Sequence, residues 1–122
     1  MSPNAAGELV GMLFSARNLA HTIHLKTTSY AEHKTLNEFY EGIIPLVDDF
    51  AEAYQGRYDV RMTVPVVPNK YKGSISDVLR SQLDWIEGNR QAICPRTETA
   101  LHNIIDEIVS LYQGTLFMLT LK

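Results

Sequence analysis

Apolar residues in this chain fall into four runs with helical spacing, and the gaps between the runs are unequal. In the first run Leu9, Val10, Leu13, Phe14, Ala16, Leu19, Ala20 and Ile23 recur at three- and four-residue steps. That period puts them on one face of a helix, predicted over 5–26. Thr27, Thr28 and Ser29 interrupt it. Ser29-Tyr30-Ala31-Glu32 fits a capping box, in which the serine oxygen takes an orphan amide of the next helix. The second helix is predicted over 30–55, with Leu36, Phe39, Tyr40, Ile43, Val47, Phe50, Ala51 and Tyr54 as its stripe. Pro45 lies inside it, removes one backbone hydrogen bond and is expected to kink the rod. Gly56 reads as the stop.

The next segment, RYDVRMTVPVVPNKYK at 57–72, has two prolines and no helical stripe. It reads as an extended loop crossing the molecule; a strand pair is the lesser alternative. A third helix over 74–92 is capped by Ser74 or Ser76, with Asp77 in the first turn. Its core face is Val78, Leu79, Leu83, Trp85 and Ile86. Pro95 starts a fourth helix over 96–121, with a stripe from Ala100 through Leu119. Two short turns and one long middle connection describe an up-down-down-up bundle. The fold class is therefore all-α, a single domain over 1–122. It is a ferritin-like four-helix bundle with a long connection between helices 2 and 3.

Composition narrows the partners. A net charge of −3 is a poor footprint for nonspecific nucleic-acid binding. The single cysteine, Cys94, allows no internal disulfide and fits a reducing cytoplasm. The first residues lack a basic region and carry Glu8, which tells against a signal peptide. No apolar run approaches the roughly 20 residues of a membrane span.

Three of the four histidines fall between residues 21 and 33, and acids follow in Asp48-Asp49-Phe50-Ala51-Glu52. If the first two helices pack antiparallel, His21 and His33 face each other at a similar level. Two imidazoles from adjacent helices make half a site for a divalent transition metal. Asp48 and Glu52 are four apart and share a helix face. Asp48 lies about 22 Å along the axis from His33, at 1.5 Å per residue. It is turned from it by only about 60°. One ion cannot bridge that distance within a chain. Two copies of the second helix paired antiparallel would bring His33 of one near Asp48 and Glu52 of the other, giving two equivalent intersubunit sites.

The spacing H-x11-H-x14-D-x3-E resembles the ferroxidase signature of the Dps proteins, the miniferritins of the ferritin-like superfamily. Residues 18–55 carry the likeness, and the chain is also similar to short Dps-like proteins of tailed bacteriophages. The resemblance implies a homodimer or larger homo-oligomer that binds iron as Fe(II), or another divalent transition metal, and oxidises Fe(II). It assigns the metal ligands to His21, His33, Asp48 and Glu52, with no catalytic residue beyond them. The chain departs from the family at Ala20, Thr22 and Asn37, and at Pro45 between the histidines and the acids. The lysine-rich tail that many members use on DNA is absent, which tells against DNA binding.

The rival reading is a non-enzymatic ferritin-like interaction protein, a phage virion component or host-modulating factor with a relic metal site. A magnesium-dependent nucleotide pyrophosphatase ranks below both, because its paired E-x-x-E and E-x-x-D clusters are missing. His24 reads as a near-surface neighbour of His21. His102 reads as solvated or partner-facing, and Trp85 as core or interface. Cys94 reads as a helix-boundary residue with no adjacent base. Arg57, Arg61, Lys70, Tyr71 and Lys72 form a modest basic patch, equally well explained as a solvated loop.

Overall fold

A computed structural model describes residues 3–68 and 71–122, so Lys70 of the basic patch lies outside the described residues. Four helices form: α1 (Pro3–Lys26), α2 (Tyr30–Tyr58), α3 (Ile75–Ile93) and α4 (Thr99–Met118). No strand occurs among the described residues. The long apolar periods thus fold as the helices they predict, and the boundaries move by a few residues where local chemistry decides. Ser29 caps α2 by accepting from the Glu32 amide at 3.2 Å. The full capping box sits on α3 instead: Ser74 Oγ accepts from the Asp77 amide, and Asp77 accepts from the Ser74 amide.

Gly56 does not end α2. The helix runs on to Tyr58 and stops at Asp59, which takes the left-handed conformation at φ 52°. Pro45 stays inside α2 on the exposed face. The carbonyl it leaves without a donor belongs to Glu41, also exposed, so water can satisfy it. Pro95 starts a turn rather than α4: Cys94 caps α3, and residues 95–98 form a short hairpin before Thr99.

Each helix packs on two others, with α1 against α2 and α3, and α4 against α2 and α3. The order around the bundle is therefore α1–α2–α4–α3. Arg57 of α2 pairs with Glu98 before α4, and Gly42 faces Leu111 farther along it. Phe39 meets Tyr112 edge-on at 5.2 Å. As residue numbers fall on α2 they rise on α4, so the two run antiparallel. With two tight hairpins, this makes the bundle up-down-down-up, with α2 and α3 parallel on a diagonal. The core is a seam of Leu9, Leu13, Leu36, Phe39, Ile43, Phe50, Leu79, Ile86, Ile105 and Tyr112, all fully buried. Phe14, counted in the α1 stripe from its spacing, is 39% exposed instead.

The connection from α2 climbs the outside of α1 to reach the start of α3. Thr63 lies over Gly7 and Pro65 over Gly11, so close that a Cβ on either glycine would sit 2.2 Å or 2.6 Å from a backbone carbonyl oxygen. Phe14 and Ser15 continue the same groove under Val66 and Val67. Gln55 at the end of α2 steadies the departure by accepting from the Met62 amide at 3.0 Å.

Two outcomes follow for stability. Gly11→Ala has to push backbone aside and is expected to cost about 1–3 kcal/mol. Gly88→Ala, on an exposed helix face with nothing within 4 Å, is expected to gain about 0.5–1 kcal/mol; paired urea melts check both signs. Burial also raises the pKa of Tyr112, whose hydroxyl donates to Gln82 at 2.9 Å, and that of Tyr54. The folded chain holds these protons where the unfolded chain releases them near 10.0. Stability is therefore expected to be intact below about pH 10 and to fall as pH rises past it, as urea midpoints across that range would read.

Candidate functional site

The end of the α1–α2 hairpin holds a cluster of rings: His21 and His24 from α1, His33 and Tyr40 from α2. The short turn at 27–29 brings the last turn of α1 against the first turns of α2. The structure pairs His33 with His24 rather than with His21. Their rings stack 3.7 Å apart at 16°, and each is bound to the other's backbone. His24 Nδ1 lies 2.6 Å from the His33 carbonyl oxygen, and His33 Nδ1 lies 2.7 Å from the His24 carbonyl oxygen. A carbonyl only accepts, so each Nδ1 carries a proton, and in the neutral ring the lone pair is on Nε2. His24 is buried at 8% exposure, not a near-surface neighbour.

This pair is not by itself a chelate. Ring-nitrogen lone pairs lie in the ring planes, and nearly parallel planes 3.7 Å apart do not converge them on one ion. His21 stacks instead on Tyr40, with centroids 4.1 Å apart, and meets His24 edge-on at 5.9 Å. Arg17 lies 5.4 Å from the centroid of the Tyr40 ring, and the Tyr40 hydroxyl donates to Asn37 at 2.6 Å. The cluster is thus two stacked pairs, His33–His24 and Tyr40–His21, that meet edge-on.

Asp48 and Glu52 are exposed on α2, and neither takes part in an ion pair among the described residues. About 22 Å of helix separates Asp48 from His33. Among the described residues no group of three or more histidine, cysteine or acidic side chains within the chain could hold a metal ion. The four predicted ligands are thus not assembled by one copy of the chain. The clasp was missed in the sequence because helical spacing alone gives neighbouring faces, while the pairing of His24 with His33 depends on how the 27–29 turn closes.

The opposite end of the bundle holds the cysteine. The Cys94 thiol is fully buried, and burial, then the Glu98 carboxylate, pushes its pKa up. A base does lie beside it: His102 Nε2 is 3.5 Å from Sγ. That nitrogen is also 3.1 Å from the carbonyl oxygens of Cys94 and Pro95, so it carries a proton and donates. It cannot take the thiol's proton, and His102 serves as a tie between α4 and the hairpin. Iodoacetamide at neutral pH is accordingly expected to alkylate Cys94 slowly in the folded protein and fully after denaturation; equal rates in both states would contradict this burial.

No helix among the described residues is long and apolar enough to cross a membrane. No solved structure matches the chain. A protein of Enterobacteria phage T4, described as an uncharacterized 14.6 kDa protein of the mobD-ri intergenic region, is 28% identical over 120 residues. The alignment covers 98% of this chain and 91% of the phage protein. The pattern of one protein family matches residues 24–119, which span the clasp, the exposed acids of α2 and the last two helices. The chain belongs to that family, the family of unknown function DUF5856.

Proposed function

We propose that this protein is a ferritin-like, Dps-like metal-binding bundle whose site is split between two copies of the chain. Its ligands are His21 and His33 of one copy with Asp48 and Glu52 of the other. The observation that carries the reading is the bonding of His33: its Nδ1 is committed to a backbone carbonyl, which leaves Nε2 of the neutral ring as the nitrogen open to a metal. The exposed, unpaired carboxylates of α2 support it, as does the up-down-down-up order of the helices. In an isologous contact of two α2 helices, the histidine end of one meets the acidic end of the other.

Fe(II) is the substrate that this ligand set suits, since imidazole and carboxylate together accept it and the carboxylates favour the more highly charged Fe(III). Oxidation by dioxygen or peroxide moves electrons from iron to the oxidant, and the protein's part is to hold the ion and fix where that happens. The setting is cytoplasmic, in a bacterium or in the host of a phage that encodes the chain. The relative in phage T4 supports the second of these.

One observation favours a second reading. The reciprocal clasp gives His24 and His33 a purely structural task within one chain. On that reading the protein is a non-enzymatic interaction module and the spacing is a relic.

An anaerobic Fe(II) titration of metal-free protein, with its solution mass measured alongside, separates the two. The metal reading expects about one saturable site per chain, in a dimer or larger assembly. It also expects Asp48→Asn, an exposed change, to abolish that binding with no loss of thermal stability. Absence of saturable binding, or binding by a monomer, refutes the split site and leaves the interaction module.

A further inference from the structure

We propose that His24 is a positioning residue for His33: the clasp between them locks His33 in its Nδ1–H tautomer and so presents Nε2 as the metal-binding atom. The proposal rests on the metal reading of His33 above.

Three features of the clasp carry it. First, it is reciprocal. Each imidazole donates to the backbone carbonyl of the residue that carries the other, at 2.6 Å and 2.7 Å. Moving either ring breaks its own bond and the stack that the two rings share. Second, the carbonyl that fixes His33 belongs to residue 24, in the last turn of α1, where helical carbonyls lack amide donors. The helix sets its direction, and the His24 ring, reaching across to α2, holds that turn at the separation where the carbonyl meets His33 Nδ1. Third, His24 occupies a position that favours an apolar residue. It is 8% exposed, follows the buried Ile23 and lies against the edges of His21 and Tyr40. Leucine would fill the space without a desolvation cost, but it could neither donate to the His33 carbonyl nor stack on its ring. Burying an imidazole here is offset by what it does for its neighbour.

A ligand that meets a metal through Nε2 has to keep its proton on Nδ1, and a partner that accepts that proton fixes both the tautomer and the ring's orientation. The clasp supplies this before any ion arrives.

The test is long-range nitrogen–proton NMR of metal-free protein labelled in histidine, which reads the tautomer of each ring directly. The wild type is expected to show His24 and His33 protonated on Nδ1, in contrast to His102, protonated on Nε2. His24→Asn, whose amide nitrogen can stand in for Nδ1, is expected to keep the His33 tautomer. His24→Ala is expected to release His33 into a mixture of tautomers and to weaken anaerobic Fe(II) binding about 10- to 100-fold. Wild-type His33 protonated on Nε2 overturns the proposal. So does a folded His24→Ala protein with unchanged tautomer and iron affinity. If His24→Ala does not fold, the wild type and His24→Asn still decide. A wild type with the expected tautomers that binds no iron refutes the metal reading, and with it the positioning role, while the tautomer lock stands.

Discussion

The bundle depends on seating the connection between α2 and α3 along α1. Helices α2 and α3 run in the same direction, so the chain has to return the length of the bundle between them. The 19 residues of α3 span about 28 Å, and residues 59–74, if extended, reach farther than that. Reach is not sufficient, because an extended segment carries backbone groups and needs a surface to lie on. Gly7 and Gly11 provide it. They are one helical turn apart, and both lack the Cβ that would strike the carbonyls of Thr63 and Pro65. The return path is what lets α2 and α3 run parallel across the diagonal of the bundle.

The two ends of the bundle use histidine in related ways. At one end His102 ties α4 to the hairpin by donating to two carbonyls. At the other, His24 and His33 tie α1 to α2 by donating to each other's backbone. His102 and His33 satisfy carbonyls at the end of a helix, where helical partners run out, whereas His24 adds a second donor to a carbonyl in the first turn of α2. The ends differ in what remains. His102 spends Nε2 on the tie and stands beside a thiol that burial keeps protonated. His24 and His33 spend Nδ1 and keep Nε2, the nitrogen that has metal chemistry available to it.

The split-site reading and the intrachain clasp are compatible because they use different atoms of the same ring. The clasp engages Nδ1 and the ring face, whereas a metal engages Nε2. The acids of α2 lie far from the clasp because a helix separates side chains by rise as well as by angle. Fifteen residues nearly restore the direction but carry Asp48 about 22 Å away. Symmetry is the means by which a helix can bring its own two ends together.

The sequence by itself determined the four helices, their apolar faces and the unequal gaps between them. A 3.6-residue period is a local property that neighbours along the chain write directly. It also determined Ser29 as the cap of α2, since capping needs only a hydroxyl three residues ahead of an amide. Tertiary structure decided which histidine meets which. Leu19, Ala20, Ile23 and His24 could face α2 from several rotations of α1, and the closure of residues 27–29 selected the one that joins His24 to His33. It likewise decided that α2 passes Gly56 and stops at Asp59, and that Pro45 is tolerated where solvent can reach the Glu41 carbonyl. It placed His102 beside Cys94, eight positions away, through the 95–98 hairpin. Pairings of this kind depend on distances across the bundle, and periodicity along one strand of sequence carries no record of them.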